Sequence, residues 1–327
     1  MTQPRKRLID LDSTPYYHCI SRCVRRAFLC GECHLTGKNY EHRKDWVSER
    51  LAVLAKLFAI DIAAYAVMSN HYHLVLRVDA DKANSWSDNS VIRRWGELYS
   101  IPMIVRQAQK HNAPKTIIDM AQTLIKTWRS RLMDISWFMR CLNEYLARKA
   151  NIEDNCTGRF WEGRFKSQAL LDEAAVLTAM AYVDLNPIRA GIANSPESSK
   201  HTSIHQRIKK VKQQPAEHKI KLMTLSSNHN QKHKNSIAFS SQDYFELVDW
   251  SGRVIRDDKR GAIDNKLPPI LSRLNLAPEG FIELLKREDN IAGLAVIGSP
   301  ALLTNLIETT EACFIKGISS IKTLYQI

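Results

Sequence analysis

Two runs of strand-forming residues, 60–68 and 71–78, are separated in this sequence by only two polar residues, Ser69 and Asn70. Apolar runs of this length, joined by a short polar turn, are typical of two antiparallel strands in one hairpin. Residues 15–23 are also rich in strand-forming side chains and predict a further strand. These strands favour an antiparallel sheet as the centre of the fold.

Helical patterns surround the predicted strands. Residues 45–58 carry one apolar stripe at helical spacing, and residues 80–155 predict a helical insertion. Residues 173–185 predict a helix that begins after Asp172 and ends at Asn186, because the residue before a proline is pushed away from the α conformation. Strands and helices in this order indicate an α+β fold, an antiparallel sheet with packed helices.

The composition divides the chain into three parts. Residues 1–195 contain the predicted strands together with the insertion at about 80–155. Residues 196–238 are rich in Ser, Lys, Gln, His and Asn, and predict a basic polar linker. Helical signals return in residues 239–327, which predict a small all-α C-terminal domain.

The chain carries a large positive charge. Its 47 Lys and Arg residues against 34 Asp and Glu residues give a net charge of +13. Such a surplus favours a polyanionic partner, with nucleic acid ahead of an anionic membrane. No stretch approaches the roughly 18 apolar residues that span a bilayer, and no basic amphipathic helix has a lipid-facing aromatic edge. We therefore expect a cytoplasmic protein that binds no membrane.

The seven cysteines do not form an evident framework, since their number is odd and a cytoplasmic protein keeps its thiols reduced. Cys30, Cys33 and His34 match the pattern for c-type haem attachment, but such haem is normally attached outside the cytoplasm. Cys19, Cys23, Cys30 and Cys33 are an alternative four-thiolate zinc site. Because Cys19 and Cys23 lie in a predicted strand rather than a tight turn, small buried thiols are the favoured interpretation.

Two histidines and a tyrosine are the sharpest chemical features. His71 and His73 lie two apart in a predicted strand, so both imidazoles project from one face and can hold one divalent metal ion. Tyr182 and Asn186 lie four apart on a predicted helix and therefore share one side of it. Taken separately, each pair is more often structural than functional.

Together these residues belong to three ordered motifs: MSNHYHL at 68–74, GRFWEGRFKS at 158–167 and YVDLNPIRAG at 182–191. The set resembles the single-tyrosine HUH transposases of bacterial insertion sequences, and looks closest to the REP-associated tyrosine transposases. The resemblance covers about residues 14–195 with the insertion excepted. It implies an HUH, ferredoxin-like catalytic domain within residues 1–195.

The resemblance also implies a mechanism. His71 and His73, with Asn186 as third ligand, would hold Mg²⁺ or Mn²⁺, which polarises the scissile phosphate. Tyr182 would attack the phosphorus, forming a 5′-phosphotyrosine and freeing a 3′-hydroxyl. The protein would then be a transposase, that is, a single-stranded DNA endonuclease and strand transferase acting on hairpin-flanked DNA.

Six basic residues are candidate DNA contacts, either within the second motif or after the first predicted strand: Arg159, Arg164, Lys166, Arg22, Arg25 and Arg26. For Phe160 and Trp161 a place in the core is favoured over base stacking, and His18 is expected to be structural. The protein is expected to act as a monomer or homodimer on single-stranded or hairpin DNA.

Two other functions remain open at this point. A domesticated descendant would bind hairpin DNA without moving it, although His71, His73 and Tyr182 are all present. A metal-dependent hydrolase would use the same histidines with water as the nucleophile and would not need Tyr182.

Overall fold

The computed structural model describes residues 9–24, 29–31, 37–215, 220–226, 236–255, 271, 274–286, 294–310 and 323–325. The strands in chain order are β1 (Tyr16–Arg22), β2 (Ile60–Val67), β3 (His71–Val78), β4 (Lys166–Leu170), β5 (Thr224–Leu225), β6 (Ser236–Ile237) and β7 (Val296–Ile297). The helices are α1 (Arg43–Leu57), α2 (Ala80–Asn84), α3 (Asp88–Gly96), α4 (Met103–Ala108), α5 (Lys115–Arg131), α6 (Ile135–Glu153), α7 (Glu173–Arg189), α8 (Ser203–Val211), α9 (Ser241–Ile255), α10 (Pro278–Lys286) and α11 (Pro300–Thr310). The described residues therefore form a mixed, α+β structure.

Five strands form one sheet in the order β2-β3-β1-β4-β7. The hairpin predicted from the sequence is confirmed, because β2 and β3 pair antiparallel from Ile60 opposite Val78 to Val67 opposite Tyr72. Strand β1 lies antiparallel between β3 and β4. Strand β7 adds a short parallel edge that the sequence does not predict, since two residues carry no readable period.

The sheet is covered on both faces, as the alternation of its side chains requires. On one face, Ala64, Ala66 and Val75 belong to a core that includes most of α7. On the other face, Cys19 and Leu74 belong to a second core with α1 and α6. His71 and His73 lie on β3, next to the central strand β1.

Helices α2–α6 occupy the stretch predicted as a helical insertion, and the last of them supports the sheet. Helix α6 packs on α1, where Arg43 forms ion pairs with Glu153 at 2.5 Å and with Asp154. Residues 115–153 of the predicted insertion form two helices, α5 and α6, and the Asp134 carboxylate caps α6 by accepting the Ser136 N–H at 2.5 Å.

Helix α7 begins where the sequence predicts and ends later. Asp172 caps it by accepting the Ala175 N–H at 2.8 Å. The expectation that the helix ends at Asn186 is wrong, because it continues through Pro187 to Arg189. A proline so near the end removes one N–H donor, and packing against the protein interior outweighs this local cost. The chain leaves the helix at Gly191, whose φ is +68°.

The C-terminal stretch contacts the sheet and α7. Helices α9 and α10 pack on α7, on the side away from the sheet. Within the stretch expected to be a polar linker, α8 begins at Ser203, and Thr202 and Ser203 are buried. The separate C-terminal domain stays a prediction. Over the described ranges, no helix is both long and apolar enough to cross a membrane.

Candidate active site

His71 and His73 project from β3 toward α7. Their ring centroids lie 4.8 Å apart, and the side chains are 6% and 1% exposed. The Nε2 atom of each ring is buried and has no hydrogen-bond partner within the described structure. Buried polar atoms are normally hydrogen-bonded, so an unpartnered nitrogen on each of two neighbouring rings is compatible with a bound ligand.

A chain of hydrogen bonds sets the tautomer of His73. Its Nδ1 lies 2.9 Å from His18 Nε2, and His18 Nδ1 lies 3.1 Å from Gln168 Oε1. Gln168 in turn donates from Nε2 to the Leu294 carbonyl at 3.0 Å. Because an amide oxygen only accepts, His18 must donate from Nδ1 and accept at Nε2. His73 therefore carries its proton on Nδ1, which leaves a lone pair on Nε2.

The same logic applies to His71, whose Nδ1 lies 2.5 Å from the Asn70 side-chain oxygen. Burial is the main cause that lowers the pKa of His71 to about 3, with a smaller contribution from Arg22 and Arg189. Burial also lowers the pKa of His73 well below its usual value. Both rings are therefore neutral at physiological pH, with Nε2 in the form that binds metal ions.

Tyr182 reaches the histidines from α7 and is 1% exposed. Its ring meets His73 edge-on at 5.6 Å and His18 at 5.9 Å between centroids. The hydroxyl accepts a hydrogen bond from Arg189 Nη2 at 3.3 Å. The sequence prediction that Tyr182 and Asn186 share one side of the helix is confirmed, because the Asn186 amide lies against the same guanidinium.

Asn186 is the least open of the three predicted metal ligands. Its Nδ2 donates to the Tyr182 carbonyl at 3.1 Å, and its Oδ1 accepts a hydrogen bond from Arg189 Nη2. The two neutral imidazoles fit a divalent ion. The Asn186 amide oxygen has two lone pairs, so it retains one for an ion while it accepts the hydrogen bond from Arg189. Within the described ranges, no group of three or more His, Cys, Asp or Glu side chains is arranged to hold a metal ion. Amide, phosphate or water oxygens would have to complete the coordination of an ion held by the histidine pair.

Two of the predicted DNA contacts lie beside the histidines. Arg22 is exposed at the end of β1, directly opposite His71 in the strand register. Lys166 is exposed at the start of β4 and pairs with Ile20, which is itself opposite His73. Two positive side chains therefore lie at the same strand ends as the histidines.

The other predicted contacts differ among themselves. Arg159 is exposed, but its guanidinium stabilises the loop in which it lies. It donates from Nε to the Trp161 carbonyl at 2.7 Å and from Nη2 to the Glu162 carbonyl. Arg164 is exposed in the same loop. Arg25 and Arg26 lie outside the described residues, as do Cys33 and His34.

The two aromatic residues of the second motif belong to the core, as the sequence favours. Phe160 is 2% exposed and Trp161 is 9% exposed. The Trp161 indole donates from Nε1 to the Asn143 carbonyl at 2.9 Å, and its ring meets Tyr72 edge-on. These contacts fix the loop beside β1, where Glu162 N donates to the Arg22 carbonyl at 2.9 Å.

Sequence reasoning misses the parts played by His18, Gln168 and Arg189. His18 is structural, as expected, but it forms a hydrogen bond with His73, a candidate metal ligand. Its position between Tyr16 and Ile20 on one face of β1 is the only signal in the sequence. Arg189 is missed because the helix is predicted to end three residues before it.

No protein-family model and no curated protein matches this sequence. Among solved structures, the chain is similar to a REP-associated tyrosine transposase bound to a REP hairpin. That match covers 64% of this chain and 86% of the other, with 11% sequence identity and a TM-score of 0.37. At this level of similarity, the roles of individual residues rest on the geometry of this chain's own site.

Proposed function

We propose that this protein is a DNA-processing enzyme of the tyrosine transposase kind, which cleaves and rejoins single-stranded DNA through a covalent bond to Tyr182. The observation that carries the proposal is the contact of Tyr182 with His73, whose ring lies 4.8 Å from that of His71, each ring having an unpartnered Nε2 within the described structure. A nucleophile next to a pair of neutral, metal-competent imidazoles is an arrangement suited to phosphoryl transfer.

The histidine pair would hold Mg²⁺ or Mn²⁺ through the two Nε2 atoms, and the ion would neutralise charge at the scissile phosphate. His18 and Gln168 keep His73 in the tautomer that exposes Nε2. Helix α7 holds the Tyr182 hydroxyl in place, since the helix is buried on all sides. Because burial excludes water from this region, the phenol is favoured over water as the attacking group.

In the proposed step, the Tyr182 oxygen forms a bond to phosphorus and the bond from phosphorus to the 3′ oxygen breaks. The phenol proton is lost as the new ester forms, and the departing 3′ oxygen gains a proton. One phosphodiester is exchanged for another, so its energy is retained. A second 3′-hydroxyl can then reverse the step without ATP.

The charge of the protein supports DNA as the substrate. The chain carries a net charge of +13, and the exposed cations Arg22 and Lys166 lie at the strand ends next to the histidines, with Arg164 exposed in the loop before β4. Cations in such a track neutralise backbone phosphates without regard to sequence. Single-stranded DNA beside a hairpin is the proposed form of the substrate.

A denaturing gel tests this function. Purified full-length protein is incubated with Mn²⁺ and single-stranded hairpin DNA taken from beside its own gene, labelled at either the 5′ or the 3′ end. A 5′-phosphotyrosine predicts that only the 3′-labelled fragment migrates with the protein, and that a 5′-labelled fragment is released. The adduct should disappear in Tyr182→Phe and persist in the control Tyr145→Phe, a half-buried tyrosine on α6.

Other outcomes identify the alternatives. Hairpin binding without an adduct, for several hairpins and both metals, would indicate a domesticated DNA-binding protein. Free nicked product that survives Tyr182→Phe and is lost in His71→Ala would indicate a hydrolase with water as its nucleophile.

A further inference from the structure

We propose that Arg189 is a catalytic residue whose guanidinium receives the scissile phosphodiester and holds the Tyr182 oxygen against it. This inference rests on the function proposed above and names the group that binds the reacting phosphate. Arg189 lies within the third sequence motif, but the resemblance assigned it no role.

The late end of α7 places Arg189 at the nucleophile. Arg189 follows Tyr182 by seven residues, which is two helical turns, so the two side chains lie on one face. The guanidinium carbon lies 4.8 Å from the centre of the Tyr182 ring, and Nη2 lies 3.3 Å from the Tyr182 hydroxyl. A cation at this distance stabilises negative charge on the phenol oxygen as it attacks.

Arg189 has no anionic partner within the described structure. Three other partly or fully buried arginines pair with carboxylates: Arg43 with Glu153, Arg77 with Asp61 at 3.2 Å, and Arg129 with Asp88 at 2.8 Å. Arg94 and Arg207 donate to backbone carbonyls instead. The hydrogen bonds of Arg189 within the described residues go only to a neutral hydroxyl and a neutral amide. Its Nε is buried and lacks a hydrogen-bond partner.

The described charges that act on His71, next to Arg189, are both positive: those of Arg22 and Arg189 itself add to the effect of burial on the His71 pKa. Because no described carboxylate forms an ion pair with Arg189, an anion that enters the site can balance its charge. The planar guanidinium fork matches two oxygens of a phosphate, and a phosphodiester is the anion that the proposed reaction supplies.

Two variants and one control test the role of Arg189. Arg189→Gln removes the charge, Arg189→Lys retains it without the fork, and Arg148→Gln removes an exposed charge from α6, on the opposite face of the sheet. Binding of a fluorescein-labelled hairpin oligonucleotide is measured against salt concentration, with EDTA and in a Tyr182→Phe background. The rate of adduct formation is measured separately with Tyr182 intact.

Arg189→Gln should reduce the slope of log K against log salt by about 0.7, the value of one contact to a single strand. It should also slow adduct formation by about a hundredfold, as loss of one transition-state donor does. Arg189→Lys should keep the slope and recover only part of the rate, and Arg148→Gln should leave both unchanged.

An unchanged slope or an unchanged adduct rate in Arg189→Gln would overturn the inference, and so would full activity in Arg189→Gln at saturating DNA. If the wild-type protein forms no adduct, the proposed function fails. The salt slope then decides by itself whether Arg189 binds a backbone phosphate.

Discussion

Replacing His18 by phenylalanine tests whether the hydrogen-bond chain behind His73 prepares that residue to bind a metal ion. The substitution keeps an aromatic ring against Tyr182 and removes the acceptor that lies 2.9 Å from His73 Nδ1. A buried N–H without an acceptor costs about 1–3 kcal/mol. Moving the proton to Nε2 avoids that cost but removes the lone pair. We therefore expect a loss of metal affinity of about 1–3 kcal/mol, within which lies the tenfold to hundredfold effect typical of such supporting residues.

The affinity can be measured on the full chain without DNA, by titrating Mn²⁺ and following the electron paramagnetic resonance signal of the free ion. His111→Phe is the matched control, because His111 is exposed between α4 and α5. His73→Ala sets the lower limit, since it removes the proposed ligand itself. Thermal unfolding of each variant shows whether the fold is retained.

Wild-type Mn²⁺ affinity in His18→Phe would refute the reasoning about the tautomer, provided that His73→Ala loses binding. Wild-type affinity in His73→Ala would refute the histidine pair as a metal site altogether. The His18→Phe result therefore tests the hydrogen-bond chain behind His73, and the His73→Ala result tests the metal site itself.

Three further substitutions have defined outcomes. Asp184→Ala leaves the buried Ile204 N–H and Tyr244 hydroxyl without an acceptor, and leaves Ser203 Oγ with only the Tyr65 carbonyl at 3.4 Å. Chemical denaturation should show a loss of about 3–5 kcal/mol, and a loss under 1 kcal/mol would contradict these contacts. Trp161→Ala should lower the free energy of unfolding by about 3–5 kcal/mol in the same assay, and a loss confined to DNA affinity would instead favour base stacking. Lys166→Gln should reduce the slope of log K against log salt for single-strand binding by about 0.7, with the fold intact by circular dichroism. An unchanged slope would show that Lys166 does not contact the DNA backbone.

The central hairpin is predictable from the sequence because its signals are local. Strand-forming runs on either side of Ser69 and Asn70 lead to β2 and β3 directly. Alternation of side chains then places His71 and His73 on one face. The structure agrees with this step, since both rings lie on the side of α7.

The end of α7 and the surroundings of Tyr182 are not predictable in this way, because they depend on contacts between distant segments. The rule for Pro187 describes an isolated chain, whereas packing from both sides keeps α7 helical past it. Arg189 and the link from His18 to Gln168 follow from that packing. Strand β7 depends on pairing with β4, which no local pattern announces.

The burial of α7 has a consequence for the proposed reaction. Residues 174–188 are all buried, between the sheet on one side and α9 and α10 on the other. Burial of a side chain such as Leu185 or Ile188 contributes about 1.5–3 kcal/mol. Withdrawing the six Val, Leu, Met and Ile side chains of this helix would therefore cost about 9–18 kcal/mol, as much as the whole stability of a typical domain.

If Tyr182 is the nucleophile, this cost favours its use with the histidines of its own chain over exchange of the helix between two copies. If Tyr182 carries a DNA end, the moving part is the nucleic acid. The released DNA strand would leave the site before the second strand enters it, and the cleaved end would stay bound to Tyr182 in the interval. In an assembly of several copies, each active site would then cleave and rejoin DNA independently of the others.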